Sequence, residues 1–139
     1  MKVRVQSHAC YQLLYHVVWI PKYRRKILIK GVDTYCDKLL RSLITDRYPD
    51  VFLEELSVQE DHIHIMLSIP PKYSIAEVVG YLKRNSSLAM RKKFEYLRRI
   101  SDGMWSVGYF VSSVGLDEAK IRKYILHQNE QDKGQLIEL

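Results

Sequence analysis

Four stretches of the chain are rich in β-branched and aromatic residues, a composition that is typical of buried strands. Proline, glycine or a short polar turn bounds these stretches. Pro21 closes the first stretch, and the polar residues 59–61 separate the second from the third, as the turn of a strand pair would. The four predicted strands are residues 8–20, 51–57, 62–69 and 105–114.

Between these strands, apolar residues lie three and four positions apart, which predicts helices. The first such segment is 33–48, and it ends at Pro49. Ser74 stands three residues before Glu77, and this capping box opens a second helix, or a broken pair of helices, that reaches about Arg99.

A last amphipathic helix follows the fourth strand. We expect Asp117 to cap it and the helix to extend through about Gln128, after which residues 129–139 are polar and predict a mobile tail. The order β-α-β-β-α-β-α predicts an α+β fold: a ferredoxin-like split β-α-β with an antiparallel sheet and an extra C-terminal helix. No linker or repeat divides the sequence, so residues 1–139 are expected to form a single domain.

Composition excludes several classes of protein. Hydrophobic residues make up 47% of the 139 residues and charged residues 27%, which is ordinary for a globular chain and argues against a disordered or fibrous one. Two cysteines are too few for a secreted disulfide framework. No apolar run approaches the roughly 18 residues of a membrane span. We therefore expect a soluble, cytoplasmic protein.

The positive charge of the chain is concentrated in one segment. The formal net charge is +6, and residues 71–100 hold eight basic and two acidic residues, so the rest of the chain is electrically balanced. Such a segment is either a solvated helix face or a surface that binds phosphate groups. A second basic cluster, which contains no acidic residue, consists of Lys22, Arg24, Arg25, Lys26 and Lys30.

Two histidines on the third predicted strand are candidate metal ligands. His62 and His64 are two residues apart, so they point to the same face of a sheet while Ile63 points to the other. Two imidazoles about 6.6–6.8 Å apart at Cα can converge on one divalent ion. Two ligands do not make a site, however, and a polar sheet face that contains two histidines is the alternative.

The last predicted helix carries a candidate nucleophile. Tyr124 and Gln128 are four residues apart and therefore neighbours on one helix face. A phenoxide is both a competent nucleophile toward phosphorus and a good leaving group, so a bond made with it can be remade. The alternative interpretation is a packed aromatic residue followed by a surface amide.

With the two histidines on a strand and the tyrosine and glutamine on the last helix, the sequence resembles the single-tyrosine HUH transposases of small bacterial insertion sequences, the TnpA-like enzymes. HUH stands for two histidines that flank a bulky hydrophobic residue, here Ile63 between His62 and His64. The final helix with Tyr124 and Gln128 matches as well, and the resemblance runs from about residue 10 to residue 128. The other matching stretches are residues 15–28, 82–94 and 105–115.

The resemblance implies a mechanism and a set of partners. Tyr124 would attack single-stranded DNA at the end of the element, leaving a 5′-phosphotyrosine link and a free 3′-OH. His62 and His64 would hold Mg²⁺ or Mn²⁺, with Gln128 as third ligand. Members are homodimers in which the tyrosine helix of one subunit commonly completes the site of the other, and they recognise DNA hairpins near the element's ends. Candidates for contacts to the DNA backbone are Lys83, Arg84, Arg91, Lys92 and Lys93.

Other interpretations stay open at this point. Asp61 would face away from the histidines if the strand starts there, or would orient one of them if the turn extends through it. His127 is either a substitute ligand or a surface histidine, and His16 is a core or sheet-face histidine. A non-catalytic nucleic-acid-binding module of ferredoxin-like fold is the rival function, and a domesticated relative acting on palindromic repeats is the third.

Overall fold

A four-stranded antiparallel sheet, with strand order β4-β5-β3-β6, lies at the centre of the chain. The computed structural model describes residues 4–6, 9–11, 13–100, 103–113 and 118–138, with side chains at 13–100, 103–113 and 122–133. The strands of the sheet are β3 (Leu14–Trp19), β4 (Phe52–Gln59), β5 (His62–Ser68) and β6 (Phe110–Ser112), and a separate two-stranded sheet pairs β1 (Arg4–Gln6) with β2 (Ala9–Tyr11). The helices are α1 (Val32–Arg47), α2 (Ile75–Lys93), α3 (Glu95–Arg98) and α4 (Glu118–Glu138).

The sheet confirms the predicted ferredoxin-like topology. Counted along the sheet, the first strand lies between the third and the fourth, and the second pairs with the third at one edge. All of these pairs are antiparallel. Such an order results when two β-α-β units interleave, as the predicted element order requires.

The first predicted strand, 8–20, is too long. Residues 9–11 form β2 of the separate sheet, only β3 belongs to the central sheet, and residues 8 and 12 lie outside the described residues. Leu14 already lies opposite Ser68, the last residue of β5. The backbone N–H of Ile69 still donates to the carbonyl of Leu13 at 3.0 Å, but Pro70 and Pro71, which follow it, have no N–H with which to continue the ladder.

The fourth predicted strand, 105–114, is also too long, because β6 has only three residues. Trp105 makes an isolated bridge with Pro21 instead of joining a continuous strand. Gly108 has a φ of 90°, a left-handed conformation that interrupts the extended backbone between the bridge and the strand.

Helices α1 and α2 form where the spacing of apolar residues places them, whereas Asp117, the predicted cap of the last helix, lies outside the described residues. The Oγ of Ser74 accepts a hydrogen bond from the backbone N–H of Glu77 at 3.0 Å, which confirms the predicted cap of α2. The second helix is a broken pair, since α2 ends at Lys93 and the short α3 follows the extended residue Phe94.

Helices α1 and α2 cover one face of the sheet and enclose the main core. Trp19 of β3 packs edge-to-face on Trp105, with ring centroids 6.0 Å apart. Alternate residues of β3 and β5 point into this core, as the period of two requires. The buried core residues of β3, β5, α1 and α2 are Val17, Trp19, Ile63, Ile65, Leu67, Val32, Cys36, Leu40, Ile44, Val78, Val79, Leu82 and Met90.

Helix α4 packs on the opposite face of the sheet and is longer than predicted. The sequence predicts an end near Gln128, but the helix continues to Glu138. The physical reason is Asp132, which is fully buried and hydrogen-bonded, and so belongs to a packed helix. The mobility of residues 129–139 and the single-domain organisation stay predictions. No helix in the described ranges is long and apolar enough to span a membrane.

Candidate active site

The two histidines of the HUH motif lie side by side on the sheet face that α4 covers. Ile63 and Ile65 are fully buried in the core between the sheet and helices α1 and α2. His62 and His64 point to the other face and are half-buried. The alternation that the sequence predicts for this strand is therefore present.

Asp61 orients His62. The Oδ1 of Asp61 accepts a hydrogen bond from His62 Nδ1 at 2.9 Å, and Oδ2 accepts one from Arg24 Nε at 2.9 Å. Burial alone would raise the pKa of Asp61, but the hydrogen bonds and charges of His62 and Arg24 hold it below its usual value. The carboxylate accepts from His62 Nδ1, so Nε2 is the ring nitrogen that could bind a metal. Of the two interpretations of Asp61, the orienting one is confirmed.

His64 is held by a third imidazole. The Nδ1 of His16 and the Nε2 of His64 are 3.2 Å apart, and the two rings stack with centroids 5.4 Å apart. Burial, followed by the nearby charge of His16, lowers the pKa of His64 and keeps its imidazole neutral, as a metal ligand must be. His16 is the sheet-face histidine that the sequence predicts, but its contact with a candidate ligand has no sequence signal because the two residues are 48 positions apart.

Tyr124 lies on the same face of the sheet, two strands away from His64. Its ring packs on Phe110, with centroids 6.1 Å apart. Phe110 is directly opposite Val18, which is directly opposite His64. Two strand spacings separate the backbones of Phe110 and His64 by roughly 10 Å.

The hydroxyl of Tyr124 is buried and has no hydrogen-bond partner among the residues with described side chains. Burial, and then the charge of Asp132, raise the pKa of the phenol. The docked tyrosine is therefore protonated at neutral pH, and it must lose this proton before it can act as a nucleophile.

Gln128 and Asp132 continue the face of α4 that carries Tyr124, because the three residues are spaced four apart. The side chain of Gln128 is buried beside Gly108. A Cβ added to Gly108 would lie 3.8 Å from Oε1 of Gln128. The amide nitrogen of Gln128 is 3.5 Å from Oδ1 of Asp132. Since this contact uses the nitrogen, the oxygen is left as the group that could bind a metal.

The structure thus brings the predicted site residues to one face of the sheet, in two groups. His62 and His64 lie on β5, and Tyr124 and Gln128 lie on α4 above β6. Across the described part of the chain no cluster of three or more His, Cys, Asp or Glu side chains could hold a metal ion. Two imidazoles and one amide oxygen are a chemically suitable donor set of a different composition.

Two of the five candidate DNA contacts bind backbone carbonyls of the protein. Lys83 Nζ donates to the carbonyl oxygens of Ser106 and Gly108 at 2.8 and 2.7 Å, and burial lowers its pKa to about 8, against a smaller opposing effect of Asp132. Arg91 donates to the carbonyl of Ile100 at 2.6 Å. The exposed members of the set are Arg84, Lys92 and Lys93.

The second basic cluster lies closer to the histidines than the first. Arg24 contacts Asp61, and the neighbouring backbone N–H of Tyr23 donates to Asp132 of α4 at 2.9 Å. The sequence shows the cluster of charge, but only the tertiary fold places it beside the site. His127 is exposed, in agreement with its interpretation as a surface histidine.

Known proteins are similar to this chain in sequence. A family model described as IS200-like transposase matches residues 9–128. The transposase for insertion sequence element IS200 of Salmonella typhimurium is 39% identical over 132 residues, which cover 91% of this chain and 84% of that protein. The ISDra2 transposase TnpA of Deinococcus radiodurans is 31% identical over 125 residues, or 88% of each chain.

Solved structures are similar to it as well. A Deinococcus radiodurans crystal structure, of a chain classed as a transposase, superimposes with a TM-score of 0.80 at 30% identity, over 92% of this chain and 98% of that one. A REP-associated tyrosine transposase bound to a REP hairpin has a TM-score of 0.55 over 87% of this chain and 68% of that one, and at 11% identity it shows the fold alone. With the family model matching nearly the whole sequence and relatives above 30% identity, the chain belongs to the family of IS200-like transposases.

Proposed function

We propose that this transposase cuts and rejoins single-stranded DNA at the ends of an insertion sequence through a 5′-phosphotyrosine intermediate. The observation that carries the proposal is the placement of Tyr124 and Gln128 on the same sheet face as His62 and His64. A tyrosine, two imidazoles and an amide oxygen on one face are a nucleophile and a ligand set for phosphoryl transfer.

The chemistry assigns a role to each of these residues. The phenol oxygen of Tyr124 attacks phosphorus, the bond from phosphorus to the 3′ oxygen breaks, and the DNA is left with a 5′-phosphotyrosine and a 3′-OH. The phenol proton is lost and the 3′ oxygen gains one, so the step is balanced and needs no outside energy source. Attack by a 3′-OH on the phosphotyrosine reverses it and joins the strand to a new end.

We assign the metal site to Nε2 of His62, a ring nitrogen of His64 and Oε1 of Gln128. A divalent ion held there would polarise the scissile phosphate and offset the charge that develops in the transition state. Imidazole nitrogens bind Mn²⁺ more tightly than Mg²⁺. Of the two metals, Mn²⁺ therefore fits this donor set better.

The proposed ligand is a DNA hairpin with a single-stranded flank. A structural relative bound to a REP hairpin has this fold, and the basic residues of the chain supply phosphate-binding charge on two sides of the sheet. A homodimer with active sites shared between subunits stays a prediction, and so does the family's exchange of the tyrosine helix. In the described chain α4 lies on its own sheet.

The test is a denaturing gel with a labelled single-stranded oligonucleotide that carries the element's end hairpin and flank, in the presence of Mg²⁺ or Mn²⁺. The wild-type protein is expected to give a slow band that survives denaturant. Tyr124→Phe is expected to bind the DNA and give no such band, because only the nucleophilic oxygen is missing.

Tyr35→Phe is the matched control, since it removes a phenol oxygen from α1 on the other face of the sheet and should keep the adduct. An adduct that persists in Tyr124→Phe would exclude Tyr124 as nucleophile. Tight binding by the wild type with no adduct in either metal would favour the non-catalytic binding module.

A further inference from the structure

The tyrosine helix contains an acid that is completely buried. Asp132 has no exposed surface, although aspartate is among the side chains that are rarely buried without partners. Its Oδ2 accepts from the backbone N–H of Tyr23 at 2.9 Å, and its Oδ1 accepts from Ser106 Oγ at 2.8 Å. The amide of Gln128 approaches the same Oδ1 at 3.5 Å. The cost of burying a carboxylate is met by donors from three separate segments.

The segment that supplies Ser106 is itself fixed on two sides. The backbone N–H of Ser106 donates to the carbonyl of Ile20 at 2.9 Å, which ties it to the end of β3. Lys83 of α2 donates to the carbonyl oxygens of Ser106 and Gly108. The hydroxyl that Asp132 contacts therefore belongs to a segment that hydrogen bonds hold against the end of β3 and against α2.

The position of Asp132 on α4 gives these contacts a consequence for the site. Tyr124 and Gln128 lie two turns and one turn before Asp132 on the same helix face. A slip of α4 by one residue would rotate this face by about 100° and move it by about 1.5 Å along the axis. Donors on both oxygens of Asp132 hold the helix against such a slip.

Docking of α4 is separate from the main core. The buried core cluster between the sheet and α1 and α2 contains no described residue of α4. Helix α4 can therefore detach from the sheet while the sheet and the other helices keep their packing. Its docking requires contacts of its own.

We propose that Asp132 is a positioning residue, which docks the tyrosine helix on the sheet through Tyr23 N–H and Ser106 Oγ and so sets Tyr124 and Gln128 opposite the histidines. It touches neither substrate nor metal and acts through its hydrogen bonds with Tyr23 N–H and Ser106 Oγ. The functional part rests on the proposed transposase chemistry, whereas the docking part does not. The two parts therefore need separate measurements.

The first measurement is amide hydrogen exchange of residues 122–133 in Asp132→Ala, Asp132→Asn and Ser106→Ala. We expect exchange in this segment to rise by about ten- to a hundredfold in Asp132→Ala, the effect of losing a buried hydrogen-bonded charge. Asp132→Asn should show a smaller rise, because its amide keeps one acceptor oxygen and turns an NH₂ group toward the other donor. Exchange in β3 and β5 should stay at the wild-type level.

Glu130→Ala is the matched control, because it removes an exposed acid from the same helix two residues away. Its exchange should equal that of the wild type. Wild-type exchange of 122–133 in both Asp132→Ala and Ser106→Ala would overturn the docking. A rise spread evenly over the whole chain would also overturn it, because Asp132 would then be a general stability residue.

The second measurement is the Mn²⁺ affinity of the DNA-free protein, beside kcat and KM for cleavage. Asp132→Ala should weaken Mn²⁺ binding, because Gln128 leaves its place, and should lower kcat more than it raises KM. Faster exchange with unchanged metal affinity and kcat would overturn the positioning role. If the wild type forms no adduct with DNA, the proposed chemistry fails, and the exchange data alone still decide whether Asp132 docks α4.

Discussion

At the scale of single residues, the proposed metal site rests on two imidazoles that hydrogen bonds orient. We expect His64→Ala to weaken Mn²⁺ binding by more than the roughly 10–100-fold that is typical of losing an outer-shell partner, because it removes a ligand itself. Isothermal titration of the DNA-free protein with Mn²⁺ measures this. His127→Ala removes an exposed histidine of α4 and should leave the affinity unchanged. Equal affinities of both variants would contradict the assigned metal site.

Asp61 gives a second test at this scale, because its carboxylate fixes the tautomer of His62. Asp61→Asn should lower Mn²⁺ affinity by about 10–100-fold while His62 stays in place. The control is Asp46→Asn, which changes an exposed acid on α1. If Asp61→Asn binds Mn²⁺ as the wild type does, the hydrogen bond to His62 is structural and does not tune the ligand.

These residues also show what the sequence can predict about the site. The shared face of His62 and His64 follows from the period of two along any strand. The neighbourhood of Tyr124 and Gln128 follows from the helical period in the same way. The contact of His16 with His64 depends instead on the pairing register of β3 with β5, which joins residues far apart in sequence. No local pattern encodes that register.

At the scale of elements, two glycines form a matched pair for measuring backbone strain. Gly108 has a φ of 90°, so Gly108→Ala should lower the free energy of unfolding by about 1–2 kcal/mol. Gly80 lies inside α2, where a Cβ would meet nothing within 4 Å, so Gly80→Ala should raise it by about 0.5–1 kcal/mol. Urea unfolding followed by tryptophan fluorescence measures both. A change of the same sign in the two variants would contradict the assigned role of Gly108.

The segment around Gly108 is also where the sequence-based prediction of the strands is wrong. Composition predicts a continuous strand over 105–114, but Gly108 adopts a conformation that composition alone does not specify. The end of helix α4 is predicted too early, near Gln128, whereas the helix continues to Glu138. The hydrogen-bond partners of Asp132 come from residues 23 and 106, which no pattern within the helix reveals.

At the scale of the whole molecule, the two basic clusters lie in different places relative to the site. The exposed residues Arg84 and Lys92 belong to α2, on the sheet face away from the histidines. The segment 22–30 adjoins the site, because Arg24 contacts Asp61. A single strand that reaches Tyr124 would therefore meet segment 22–30, whereas α2 is placed to bind a more distant part of the DNA, such as a hairpin stem.

Two triple variants test this division. One replaces Lys22, Lys26 and Lys30 by glutamine, and the other replaces Arg84, Lys92 and Lys93. The lysine triple should make the fall of log binding constant with log salt concentration less steep by about 2 for a short single strand without a hairpin. This is the effect of losing three phosphate contacts to single-stranded DNA. The triple at Arg84, Lys92 and Lys93 should leave this slope unchanged and weaken binding only when the hairpin is present.

The control triple replaces Lys38, Arg41 and Arg47 on α1, a helix whose three basic residues are balanced by three acidic ones. It changes the net charge of the protein by the same amount as the other two triples. If binding depends on where the charge lies, this control should bind both DNAs nearly as the wild type does. Equal losses in all three triples would mean that net charge alone attracts DNA, and neither cluster would then mark a path for the strand.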